Sequence, residues 1–186
     1  MTRLSPQGLA GLPAAVARPA FDRAAVEPGI VHLGLGAFAR AHLLPLTEAA
    51  MAATGDRRWG VVGVSLRQPD TRDALEPQHG LYTLALRDGS GMQLQVMGSL
   101  LRTLVAPEEP EAVLRQLAAP GTRIVSLTVT EKGYHAQPDG AADLVARALQ
   151  RRRAAGLGGF TVLSLDNLPS NGQVLQRHVS RCAERL

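Results

Sequence analysis

The sequence predicts an α/β fold: a doubly wound, mostly parallel sheet with helices on both faces and one inserted β-hairpin. Three observations carry this. Apolar strand-like runs alternate with helix-like runs from about residue 28 onward. Most strand runs are continuous in Val, Ile and Leu, as strands buried on both faces are. One pair of runs alternates instead, around Asp88-Gly89-Ser90-Gly91, and that is hairpin chemistry.

The elements follow in order. Residues 1–27 read as an irregular arm, interrupted by Pro6, Pro13 and Pro19, and residues 28–186 as one domain. "GIVHLGLG" is a short strand. "AFARAHLLPLTEAAMAATG" is a helix that stops at Gly55, with Pro45 bending its early turns. "WGVVGVSL" is a second buried strand and "QPDTRDALEPQ" a short helix. "LYTLALRDGSGMQLQVMGSL" is the hairpin. "PEEPEAVLRQLAAPG" is a helix with acids in its first turn, where the helix dipole favours them. "RIVSLTVT" and "FTVLSLDN" are strands; "PDGAADLVARALQRRRAAG" and "SNGQVLQRHVSRCAERL" are the helices after them.

Composition narrows the function classes. A chain of 186 residues, 45% hydrophobic and 19% charged, builds one globular domain. No apolar run approaches the roughly 18 residues of a membrane helix, and the N-terminus lacks the unbroken apolar core of a signal peptide. Cys182 is the single cysteine, so no internal disulfide and no cysteine metal cluster can form; a reducing cytoplasm fits. The net charge of +4 is scattered, except for Arg151-Arg152-Arg153, which reads as a solvated helix end. With aromatics at 3%, a nucleic-acid surface is not expected. The five histidines are dispersed without ligand spacing, so no metal site is expected, and His32, inside a strand, reads as packed.

Gly34-Leu35-Gly36-Ala37-Phe38-Ala39 fits G-x-G-x-x-A, the alanine-ended dinucleotide fingerprint of Rossmann-type folds. Gly34 would turn the chain out of the strand. Gly36 would let a pyrophosphate approach the backbone, and Ala39 would let the helix pack close. Free N–H groups at the helix start, at Ala37 and Phe38, face an anion, and Arg40 adds charge. The fingerprint also calls for an acid at the end of the second strand. Val64-Ser65-Leu66-Arg67 stands there instead, and Asp70 is the nearest carboxylate. Ser65 and Arg67 would suit a 2′-phosphate, since guanidinium pairs with phosphate through two hydrogen bonds. NAD is the expected cofactor and NADP stays open; a solvated loop arginine is the other reading of Arg67.

Ligands of open parallel sheets lie at the carboxyl ends of the strands. Two further strands end in suggestive loops. Thr130-Glu131-Lys132-Gly133-Tyr134 holds the only lysine among twenty basic residues. Lys132 could contact a phosphate, a substrate oxygen or simply Glu131, and Thr130 stands where the strand meets the cofactor. Asp166-Asn167-Leu168-Pro169-Ser170-Asn171-Gly172 ends the last strand. Ser170 or Asn171 suits the N-cap of the final helix. Asn167 is left, a neutral amide able to donate a hydrogen bond to a carbonyl oxygen during hydride transfer.

Together, "FDR", "GIVHLGLGAFARAH", "WGVVGVSLR", "DALEPQHGLYTL", "SLTVTEKGY" and "DNLPSNG" resemble, in order, the polyol-specific long-chain dehydrogenases, the mannitol dehydrogenase and fructuronate reductase group. The likeness covers residues from about 20 to 175. It implies the N-terminal nucleotide-binding domain of an NAD(P)-dependent oxidoreductase. Members interconvert an alcohol and a ketone on sugar alcohols or hexuronates without a metal. It also implies that Gly34, Gly36 and Phe38 surround the cofactor, and that Asn167 matches the asparagine that helps bind the reacting oxygen. Family members continue into a helical domain that carries a general-base lysine in a K-x4-N-x2-H pattern. No such pattern occurs here, and Lys132 belongs to a different loop. The chain is therefore expected to lack the catalytic helical domain, to bind cofactor with little or no turnover, and to self-associate through the face left uncovered. A non-catalytic dinucleotide-binding module or subunit is the alternative.

Overall fold

The computed structural model describes residues 3–89, 91–129 and 140–186. In chain order these form β1 (Val16–Ala17), β2 (Pro28–Leu33), α1 (Leu44–Thr54), β3 (Gly60–Ser65), α2 (Asp70–Leu75), β4 (Tyr82–Asp88) and β5 (Gly91–Met97). They continue with β6 (Leu100–Val105), α3 (Pro110–Ala118), β7 (Ile124–Leu127), α4 (Ala141–Ala154), β8 (Thr161–Ser164) and α5 (Asn171–Ala183). Five strands make one sheet in the order β6-β3-β2-β7-β8, and every pairing in it is parallel.

The pleat of β2 explains why two layers of helix are needed. Val31 and Leu33 point to one face and join Val113, Leu114 and Leu117 of α3, Leu144, Val145 and Ala148 of α4, and Leu175 of α5. Ile30 points to the other face and joins Leu35, Leu44, Val61, Leu75 and Leu100. Both faces are buried, so the strand reads as a continuous apolar run.

The expected hairpin is present: β4 and β5 pair antiparallel from Tyr82↔Met97 to Asp88↔Gly91. A strand after the hairpin was not expected. β6 follows β5 after only Gly98 and Ser99, and it leaves the hairpin to pair parallel with β3 at the edge of the main sheet. The buried carboxylate of Glu48, on α1, holds this corner by accepting the Gly98 and Ser99 N–H groups at 2.7 and 2.9 Å. Burial raises its pKa, against the pull of those two N–H donors.

The arm is less irregular than its prolines suggest. β1 pairs parallel with β5, Val16 against Leu94. Asp22 caps a short 3-10 turn at Arg23–Ala25, accepting the Ala24 N–H at 2.9 Å. Arg23 donates to the carbonyls of Gly98 (3.1 Å), Leu100 (2.7 Å) and His79. The "FDR" stretch thus fastens the arm to the turn that separates the two sheets.

The arginine triplet also differs from a solvated helix end. Arg151 pairs with Glu111 of α3 at 2.6 Å, but Arg152 is buried. Its guanidinium donates to the carbonyls of Ala119 and Gly158, each at 2.6 Å, and stacks on Phe160 at 5.6 Å. It ties the loops before β7 and β8 together. Among the described residues no helix is long and apolar enough to cross a membrane.

Candidate functional site

Parallel strands bring their carboxyl ends to one edge of the sheet. From β2 the chain builds outward through β3 and β6, then returns to β7 and β8 on the other side. The strand order therefore reverses between β2 and β7, and the crevice outside that point is where such sheets bind ligands. The loop Gly34–Gly36 leaves β2 at this crevice.

Gly34 and Gly36 serve different purposes. Gly34 has φ +93°, and a Cβ there would meet the Thr128 carbonyl oxygen at 2.2 Å. The fold itself requires it. Gly36 has no such constraint: a Cβ would meet only the Gly34 oxygen, at an ordinary 3.7 Å. What glycine leaves at position 36 is open backbone. Leu35 between them turns inward and is buried, packing over Gly63 of β3, where a Cβ would meet its Cδ2 at 2.4 Å. Ala39 is fully buried, the close helix packing expected of the third small residue.

The helix entry has a wide turn. Residues 37 and 38 are helical, and Ala39–Leu43 form a turn of π-helix that runs into α1. Pro45 accounts for this. It has no N–H, and in an ordinary α-helix its ring would collide with the carbonyl four residues back. In the π register the Leu44 N–H donates to the Ala39 carbonyl, and the next bond, from residue 45 to Arg40, cannot form. Tyr82 supplies the missing donor: its hydroxyl donates to the Arg40 carbonyl at 2.5 Å. Burial raises the Tyr82 pKa, so the phenol keeps that proton. This gives "GLYTL" a role that its sequence does not reveal.

The first helical N–H groups remain for a ligand. Among the described residues, no backbone carbonyl or side chain accepts from Gly36, Ala37 or Phe38. Together with the positive end of the helix they suit an anion. Arg40 lies in this turn, with its Nη1 3.5 Å from the Thr71 hydroxyl near the start of α2. Phe38 is exposed and meets the His42 ring, with centroids 4.8 Å apart.

Ser65 ends β3 and is buried, while Arg67 beyond it is exposed. Ser65 stands next to the glycine loop, because Gly34 and Leu35 donate to the carbonyl of its neighbour Val64 at 2.9 and 3.1 Å. Asn167 lies beyond β8 and is exposed. The loop that carries it is tied by Asn171, whose Nδ2 donates to the carbonyls of Asp166 (2.8 Å) and Ser164 (3.3 Å). Asn171 is thus a loop tie. Ser170 takes the N-cap position of α5, but in a left-handed conformation and without a side-chain cap bond. Asn167 is two strand spacings from the glycine loop, roughly 10 Å. Thr130 and Lys132 lie outside the described residues.

His32 is packed inside the strand as expected, but its polar partners beneath the loop were not foreseen. His32 is fully buried. Its Nδ1 is 2.9 Å from the Ser126 Oγ, its Nε2 is 2.9 Å from the Thr128 Oγ1, and Thr128 donates to the Gly34 carbonyl at 2.8 Å. The tautomer follows. The Thr128 proton goes to the carbonyl, which can only accept. Thr128 must then accept from Nε2–H, leaving Nδ1 to accept from Ser126. Burial pushes the imidazole pKa down to about 4, against a smaller opposing pull from Gly34, so the ring is neutral. The signal was present: His32 and Ser126 are register partners inside two otherwise apolar strands.

The comparisons with known proteins agree with this fold. The family whose model matches is described as the mannitol dehydrogenase Rossmann domain, over residues 28–185. A mannitol 2-dehydrogenase of Pyrenophora tritici-repentis is 41% identical over 184 residues, covering 86% of this chain and 32% of the relative. A polyol:NADP oxidoreductase of Gluconobacter oxydans is 39% identical, covering 91% of this chain and 40% of the relative. A solved Pseudomonas fluorescens mannitol 2-dehydrogenase, in ternary complex with NAD and D-mannitol, superposes with a TM-score of 0.92. It is 35% identical, over 99% of this chain and 43% of that one. The 186 residues thus span about a third to two fifths of the length of these relatives, and the chain belongs to the mannitol dehydrogenase Rossmann domain family.

Proposed function

We propose that these residues bind the pyrophosphate of a nicotinamide dinucleotide. They would do so within an oxidoreductase that interconverts a sugar alcohol or hexonate with its keto form, in the manner of mannitol 2-dehydrogenase or fructuronate reductase. The observation that carries the reading is Gly36, which the fold does not need and a close-lying ligand does. The unpartnered N–H groups of Gly36, Ala37 and Phe38 and the cation of Arg40 fit the same anion.

When bound, the nicotinamide supplies or accepts the hydride. The chain's own residues bind and orient. Gly34 turns the loop, Gly36 admits the pyrophosphate, and Phe38 and Thr130 border the nucleotide. Asn167 would donate a hydrogen bond to the reacting oxygen, where negative charge develops during reduction. Lys132 is a further candidate for a substrate or phosphate contact. Ser65 and Arg67 face the adenine ribose in this reading, and without an acid there NADP is admitted beside NAD. One relative is named for NADP and a solved one holds NAD.

These 186 residues on their own would bind nucleotide without sustained turnover, because no K-x4-N-x2-H base pattern occurs among them. A general base contributes typically 10²–10⁴-fold. The single buried Cys182 suits a reducing cytoplasm.

Calorimetric titration of the chain with NADH and NADPH tests the cofactor site. One of them binds, and Gly36→Val weakens binding at least about tenfold with an unchanged melting temperature. Equal binding by the variant overturns the reading. Self-association is the remaining part of the proposal. Phe38, Leu46 and Leu163 are 50%, 71% and 41% exposed, and Leu163 sits on the edge strand β8. Sedimentation velocity should show a mass that rises with concentration; a concentration-independent monomer removes this part alone.

A further inference from the structure

We infer that His32 is a positioning residue for the cofactor site, acting through Thr128 on the carbonyl of Gly34. The inference rests on the nucleotide-binding reading and adds a role within it. The residues in question make no contact with the ligand; they decide which way one peptide plane of the binding loop faces.

The peptide between Gly34 and Leu35 is planar, so its carbonyl and its N–H point in opposite directions. Both ends are held, and by different strands. The Leu35 N–H donates to the Val64 carbonyl at the end of β3, at 3.1 Å. The Gly34 carbonyl accepts from the Thr128 hydroxyl just beyond β7, at 2.8 Å. The plane is stapled across β2, at the point where the strand order reverses.

The orientation matters electrostatically. A carbonyl oxygen turned toward a bound pyrophosphate would repel it. Held on Thr128, this oxygen is committed elsewhere, while the N–H groups of Gly36, Ala37 and Phe38 stay available. A hydroxyl can donate in more than one direction, however, and Thr128 by itself would be free to rotate. His32 removes that freedom. Its Nε2–H occupies the Thr128 lone pair, so the Thr128 proton must go to Gly34. Ser126, on the far side of the ring, donates to Nδ1, as this tautomer requires. The relay runs Ser126 to His32 to Thr128 to Gly34; the first three each donate one proton onward, and the Gly34 carbonyl accepts the last. His32 and Ser126 are fully buried, and Thr128 and Gly34 are half-buried above them.

The test separates positioning from simple support. Thr128→Val keeps the side-chain shape and deletes the hydroxyl; Thr128→Ser restores it. His32→Leu breaks the relay one step earlier. NADH and NADPH affinity is measured by calorimetry on the full chain, well below the melting temperature of each variant. Thr128→Val and His32→Leu should each lose about tenfold in affinity, the worth of one hydrogen bond. Thr128→Ser should stay within about threefold of wild type. The double variant should lose no more than either single one, because both break the same relay. Wild-type affinity in folded Thr128→Val, whatever its melting temperature, overturns the inference and leaves the cofactor reading intact. Failure of the wild type to bind either nucleotide overturns both. Should His32→Leu not fold, the Thr128 pair alone decides.

Discussion

Gly34→Ala is expected to destabilise the chain by about 3–5 kcal/mol, the largest effect of any single substitution in the loop. Two costs combine. At φ +93° a side chain is strained by roughly 1–2 kcal/mol. The new Cβ would also stand 2.2 Å from the Thr128 carbonyl oxygen, which is backbone and cannot swing aside. Relief requires β2 and β7 to part at their ends, and there the Thr128 N–H donates to the Leu33 carbonyl at 3.0 Å. For a domain of this size the loss corresponds to a fall of roughly 10 °C in melting temperature. Gly36→Ala provides the contrast. Its Cβ meets nothing closer than 3.7 Å, so stability should change by less than about 0.5 kcal/mol. Urea unfolding of the two variants beside wild type measures both numbers. Equal destabilisation would mean that the loop is only a tight turn, with no position reserved for a ligand.

That contrast also shows what a reader of the sequence can and cannot extract. The spacing of Gly34, Gly36 and Ala39 follows from local geometry, a turn and a close helix approach, and local geometry is what short motifs record. The same holds for Gly55, which ends α1 in a left-handed conformation, and for the hairpin around Asp88-Gly89. Features set by distant neighbours were not legible. The π turn at Ala39–Leu43 depends on a hydroxyl from Tyr82, on a strand of the other sheet. Arg152 looks like one of three solvated cations until its partners at Ala119 and Gly158 are brought together. β6 was left unassigned beyond Leu100, because only Gly98 and Ser99 separate it from β5, and the corner there is held by the buried carboxylate of Glu48. Of the candidate site, the position of the glycine loop at the carboxyl end of β2 could be read from sequence, and Asn167 was named there as a candidate beyond β8. The support under the loop could not, since Ser126 and Thr128 stand more than ninety residues from His32.

His32 should also make the chain sensitive to mild acid. The free imidazole has a pKa of 6.5, and in the fold burial holds it down to about 4. A folded-state value below the unfolded one means that protons bind the unfolded chain more tightly. The stability this contributes is fully present above pH 6.5 and is lost as pH falls toward 4. A gap of about 2.5 units amounts to about 3 kcal/mol, and the ring is fully buried, so solvent screening does not reduce it. Protonation also breaks the relay chemically, because Nδ1 then carries a hydrogen and can no longer accept from Ser126. Other groups also contribute to the dependence on pH. Glu111 is held below its usual value by the hydrogen-bonded Arg151, and burial raises Glu48. Their contributions are common to wild type and to a His32→Gln variant, so the difference between the two stability curves isolates His32. His32→Gln should be the less stable of the two at pH 7 and should close most of that gap by pH 4. Urea midpoints taken at half-unit steps from pH 7.5 to 4 give the curves. Parallel curves would show that the ring keeps its ordinary pKa inside the fold, and would overturn this prediction.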